Sequence, residues 1–188
     1  VAVVTISHFT EETGQLFQSM ARDMLLNPPD ALVLDLRNNP GGFLEAAVDV
    51  AGAFLDSGAT VLSEQQVSGE TDVLRTSGTP TLKGLPLAVL VNGGSASASE
   101  ILAGALQDYG VATVVGSTTF GKGSVQSFQE FADGSSLKLT IATWSTPNGR
   151  KIEGAGIQPT IEVADPTTAA DGDPVLDRAL GALFPPAD

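Results

Sequence analysis

Cysteine is absent from the 188 residues. Disulfides and thiolate metal sites are therefore excluded. An exported protein without disulfides fits this as well as a cytosolic one does. Histidine occurs once, as His8. A Ser-His-Asp triad would have to use it, yet it is far in sequence from the glycine-rich loops, and a surface or capping role is the simpler reading. Basic residues are scarce: nine Lys and Arg stand against 22 Asp and Glu, for a formal net charge of -13. So acidic a surface argues against nucleic acid or an anionic membrane as the main partner. Long apolar runs are also missing. Stretches such as LPLAVLV at 85–91 have the length of a strand, not of a membrane span. No signal peptide precedes VAVVTI, which reads as a strand in mid-domain, so a trimmed piece or mature fragment is expected.

What is present indicates a folded chain with many tight turns. Hydrophobic residues make up 42%, alongside 21 glycines and 11 prolines. The length suits one domain with a sizeable core. Strands are expected at Val1–Ile6, Ala31–Leu36, Thr60–Gln66, Leu85–Val91, Val111–Val115 and Ile161–Val163. Helices are expected from Thr10, as N-cap, to the Asn27-Pro-Pro stop, from Phe43 to about Leu55, over Ser95–Leu106 and over Val175–Leu183 before Pro185-Pro186. Ser68–Thr81 reads as a hairpin or loop. Val125–Phe131 and Leu137–Thr143 flank Asp133-Gly134, a hairpin turn signal. Apolar strands alternating with helices argue for parallel β in an α/β core, with a strand-rich C-terminal part.

GSTTFGKGSV at 116–125 follows the apolar run VATVV and nearly spells a phosphate-binding loop. Two features count against a nucleotide. Gly123 stands where the motif needs Ser or Thr, which removes the magnesium ligand. The next segment, SVQSFQEF, alternates as a strand does, whereas phosphate binding needs a helix N-terminus there. A lysine on a glycine loop has another use, as a buried general base for a serine nucleophile. The small-residue helix start GGSASASEI at 93–101 offers such serines, and its free N–H groups could face an oxyanion. Serving only as caps in a tightly packed helix start is the competing role for those serines.

Together, four segments resemble the C-terminal processing (tail-specific) serine peptidases. They are VAVVTISHFTEETGQ, ALVLDLRNNPGGFLEAAVDVAGAFL, NGGSASASEILAGALQDYGVATVVGSTTFGKGSVQS and LKLTIATWSTPNGRKIEGAGIQPTIEV. The resemblance covers roughly residues 1–183, and the joint order of these motifs is far more specific than any one of them. It implies an α/β core of the Clp-protease/crotonase type, built of stacked β-β-α units. It also implies that the nucleophile lies 25 positions before the lysine, which makes Ser97 the nucleophile and Lys122 the general base. Gln126 matches the residue that orients the lysine in some members, and positions 122, 124 and 126 of a strand share a face. The oxyanion hole would use the N–H of Ala98 and that of Gly41 or Gly42. Asp108 and Glu100 match acidic family positions; stabilising the helix start is the simpler role for Glu100. Thr160 stands where relatives commonly have Asp.

By the same resemblance, no metal, nucleotide or other cofactor is required. The partners would be proteins or peptides with flexible C-termini. Self-association is left open, membrane association would need segments absent here, and the expected location is extracytoplasmic. Relatives usually carry a PDZ domain ahead of this region and this chain shows none, so residues 1–188 are expected to be an excised catalytic core. A non-catalytic ligand- or peptide-binding module of the same fold is the alternative.

Overall fold

The computed structural model describes residues 1–164 and 172–185. In chain order its elements are β1 (Ala2–Thr5), α1 (Thr13–Met24), β2 (Leu32–Asp35), α2 (Leu44–Ala51), β3 (Thr60–Gln66), β4 (Thr71–Arg75), β5 (Leu87–Val91), α3 (Ala98–Asp108), β6 (Thr113–Gly116), β7 (Ser124–Glu130), β8 (Ser136–Ser145), β9 (Ile161–Glu162) and α4 (Pro174–Leu183).

Two sheets form. The first is parallel throughout, in the order β1-β2-β5-β6-β9. Its central strands LVLD and LAVLV are buried on both faces, which is why they read as unbroken apolar runs. Leu32, Leu34, Val89 and Val91 join the main core with α1, α2 and α3. Val33, Ala88, Leu90 and Val115 face the other way, onto Val175 and Ala179 of α4. The second sheet is antiparallel, in the order β4-β3-β8-β7. Its inner face brings Leu62 and Trp144, with the partly buried Leu74 and Val125, to the main core. The strand-rich part is thus not confined to the C-terminal third, because β3 and β4 come from mid-chain.

Helix α3 is central to the core: every residue from Ala98 to Leu106 is buried. Its small residues follow from that position. A Cβ on Gly104 would stand 2.9 Å from both Ile157 Cδ1 and Thr146 Cγ2, so a larger residue there would push the closing segment's side chains aside.

Three expected helix boundaries differ. α3 runs from Ala98 to Asp108 instead of starting at Ser95, because Ser95 is bonded into the turn after β5. α1 begins at Thr13 after Glu12, and Thr10 is not its cap; the Thr10 N–H instead meets Thr13 Oγ1 at 2.9 Å. The cause lies outside the segment. Phe9 pairs with the 41–43 turn, its N–H reaching Gly41 O at 2.9 Å and its carbonyl accepting from Phe43 N at 2.8 Å, so a separate turn, Thr13 N to Thr10 O at 3.2 Å, comes before the helix. α2 ends at Ala51, and Gly52–Leu55 continue as tight turns. Ser68–Thr81 contributes a true hairpin strand, β4, paired with β3. Pro186 lies outside the described residues.

Candidate active site

The C-terminal ends of β2 and β5 carry the two turns that build the site, the crevice position expected of a parallel sheet. After β2, Asn38 has φ 57° and Asn39 is fully buried. Asn39 ties the turn together: Nδ2 donates to Ile6 O at 2.7 Å, Oδ1 accepts from Gly41 N at 2.8 Å, and its carbonyl accepts from Ala96 N at 2.9 Å. After β5, Asn92 Oδ1 accepts from the N–H groups of Asn38 and Gly94 at 2.9 and 3.0 Å. The two turns are therefore locked to one another.

The three serines of SASAS have different surroundings. Ser95 donates to Leu36 O at 2.8 Å and accepts from Asn92 N. Ser99 donates to Asn39 O at 3.0 Å. Ser97 donates its hydroxyl to no group among the described residues. It stands one residue before α3 with φ 57° and ψ -117°, a conformation that costs an L-residue of order 1–3 kcal/mol. Its N–H, given to the Glu100 carboxylate at 2.9 Å in a capping box, helps hold it there together with the packing around it. Gly41, at φ 100°, lies directly behind: a Cβ on it would come within 2.8 Å of Ser97 Cβ and 3.0 Å of Ala98 N. The N–H of Ala98 has no acceptor among the described residues, and neither has that of Gly42. The Gly41 N–H is already given to Asn39 Oδ1. A strained hydroxyl beside an unused N–H at the start of a buried helix is suited to nucleophilic attack and oxyanion binding.

Glu100, fully buried on α3, joins this serine to the lysine loop. Its Oε2 accepts from Ser97 N at 2.9 Å and Lys122 N at 2.8 Å, and its Oε1 accepts from Gly121 N at 2.6 Å and Thr119 Oγ1 at 2.5 Å. All four partners are donors, the set a carboxylate can take. The backbones of Ser97 and Lys122 thus share one oxygen atom. Their side-chain ends are not joined. Lys122 is exposed, not buried as a general base was expected to be, and its amine makes no hydrogen bond or ion pair among the described residues. Gln126 is exposed as well, and Lys122 precedes β7 instead of lying in it. The flanking Gly121 and Gly123 are the buried parts of this loop. A strand does follow the Gly-Lys pair, as the alternation of SVQSFQE predicts.

The acidic positions also find partners. Asp108 pairs with Arg150 and accepts from Asn148 N at 2.8 Å, which fixes the closing segment to α3. Asp35 and Asp173 clasp Arg37, the residue before the Asn38–Gly42 turn. The side chain of His8 is exposed and makes no hydrogen bond among the described residues.

The model of peptidase family S41 matches residues 1–163. The chain belongs to peptidase family S41. A probable CtpA-like serine protease of Staphylococcus aureus is 44% identical over 168 residues, which are 88% of this chain and 34% of the relative. One from Staphylococcus haemolyticus is 43% identical over the same span. This S41 chain therefore spans about a third of the length of these curated relatives. Among solved structures, a photosystem II D1 C-terminal processing protease superposes with a TM-score of 0.79 at 34% identity, over 95% of this chain and 46% of that one. The tricorn protease superposes with a TM-score of 0.61 at 16% identity, over 96% of this chain and 17% of that one, a likeness of fold alone. The fold is the Clp-protease-like α/β core that the sequence implied. Asn39 and the full reach of Glu100 are what residue-by-residue reading missed. The only local sign of Asn39 is its place two residues before Gly41, a spacing that favours an Asx turn.

Proposed function

We propose that this S41 chain is the catalytic core of a serine endopeptidase that cuts proteins at or near flexible C-terminal tails. Ser97 carries the reading: of the three serines in SASAS it alone has an uncommitted hydroxyl proton, a strained backbone and an unused N–H beside it. In the proposed reaction Ser97 Oγ attacks the scissile carbonyl while the amine of Lys122 takes the hydroxyl proton. The carbonyl oxygen becomes an oxyanion facing the Ala98 N–H, with a second donor from the Gly41–Gly42 turn. The lysine's proton then goes to the leaving amine and an acyl-enzyme remains. Water attacks it, the lysine again takes a proton, and the new C-terminal carboxylate departs with Ser97 restored. Gln126 would orient the amine once substrate covers it. The proposed substrates are flexible protein tails met outside the cytoplasm, a placement that rests on the family resemblance.

The test compares the protein with S97A on an unstructured peptide with an apolar C-terminus. Cleavage by the first and not the second is expected. Equal product from both would sink the assignment. Exposure of Lys122 favours a second reading, a binding module without catalysis. Binding of the peptide without cleavage by either protein would support that one.

A further inference from the structure

Lys122 sits between two glycines, and the closing segment Ile152–Ile157 occupies the space their side chains would fill. A Cβ on Gly121 would lie 3.1 Å from Gly156 N and 3.2 Å from Gly154 N. One on Gly123 would run into the backbone of Glu153, 2.8 Å from its Cα. Backbone bonds join the same two stretches: Gly154 N donates to Gly121 O at 2.9 Å, and Thr119 N to Ile157 O at 3.2 Å. Ile157 N returns a bond to Thr119 Oγ1 at 2.7 Å. The closing segment is itself anchored, through buried Ile152 and Ile157 and through Arg150 on Asp108.

Three consecutive N–H groups of the lysine loop therefore point at carboxylates. Those of Gly121 and Lys122 go to Glu100. That of Gly123 goes to Glu153 Oε2 at 2.8 Å. Glu100 is buried and also serves α3. Glu153 is exposed, forms no ion pair among the described residues, and has no other hydrogen-bonded partner there. An exposed carboxylate of this kind contributes little to the fold. What it does fix is the peptide plane immediately after Lys122.

We propose that Glu153 is a positioning residue for Lys122. Its carboxylate holds the Gly123 N–H while Glu100 holds the Lys122 N–H, so the lysine Cα lies between two fixed peptide planes. The Cα–Cβ bond of the lysine then leaves the loop in one fixed direction. Glu153 acts through Gly123 and touches neither substrate nor the reacting atoms. This rests on the Ser-Lys reading above.

The test is the labelling of Ser97 by a fluorophosphonate, resolved into a maximal rate and a half-saturating concentration, for the protein and for E153A, E153Q, S97A and K122A. Misplacing a reacting group by about 1 Å costs up to ~100-fold in rate, and loss of one of two anchors should cost about 10-fold. E153A should thus lose about ten-fold in maximal rate with its half-saturation and melting temperature unchanged. E153Q still offers an acceptor oxygen and should stay within about two-fold of the parent. Should E153A fold poorly, E153M keeps the side-chain length without an acceptor and should show the same loss. An unchanged maximal rate in E153A and E153M would overturn the proposal. So would an equal loss in E153Q, because charge and not the acceptor would then matter. The two readings fail separately: K122A labelling at the parental rate removes the Ser-Lys reading itself, whereas a silent K122A beside a fully active E153A removes only the role of Glu153.

Discussion

Ser97 holds a backbone conformation that glycine would adopt freely, and the surrounding turns enforce it. S97G should therefore abolish labelling and raise stability by about 1 kcal/mol in urea unfolding, as the strain is released. A variant that loses both activity and stability would show that the strain is absent. Gly41 makes the opposite case. G41A would place a Cβ 2.7 Å from Ala96 O at φ 100°, so it should cost about 2–4 kcal/mol and suppress labelling; unfolding at the parental urea midpoint would contradict this. Little of this was legible in the sequence. Ser95, Ser97 and Ser99 are alike in local composition, and only the family spacing singled one out. What separates them physically is the stretch after β2, which supplies Leu36 O and Asn39 O as acceptors from about sixty residues away. Glu100 read as a helix-start residue, and its bond to Ser97 N bears that out. Its other three donors lie 19 to 22 residues on, beyond any local spacing rule.

At the scale of elements, the buried strands β2 and β5 and the hairpin β7–β8 were legible because their patterns are intrinsic: unbroken apolar runs in one case, alternation around Asp133-Gly134 in the other. The start of α1 was not, because a tertiary pairing of Phe9 sets it. Helix α4 adds a pH-dependent clip. Asp173 caps it, accepting from Leu176 N at 3.0 Å, and also accepts from Arg37 Nη1 and Nη2 at 2.8 and 2.9 Å. Those Arg37 bonds, opposed by partial burial, hold the Asp173 carboxyl below the usual 3.8. A depressed carboxylate stabilises the folded state above its usual value and loses that contribution as pH falls through its folded value. D173N should cost about 1 kcal/mol at neutral pH, after allowance for solvent screening. The gap between the two proteins should persist down to about pH 4 and close below it. A gap that closed between pH 7 and 5 would assign the effect to another group.

At the scale of the molecule, the two sheets and α3 bring residues from the whole sequence to one edge: the Asn38–Gly42 turn, Ser97, and a lysine loop held by Glu100 on one side and the closing segment on the other. The class of fold followed from the apolar strands alternating with helices. The sharing of Glu100 between Ser97 and the lysine loop did not, since it depends on where the loop between β6 and β7 meets the start of α3. The central claim is that this arrangement activates one serine. Its most direct test is to treat the protein with a fluorophosphonate and map the adduct by peptide mass spectrometry, in parallel with K122A. The expected result is a single adduct on Ser97, absent from K122A. An adduct on Ser95 or Ser99, or one on Ser97 that persists unchanged in K122A, would contradict it.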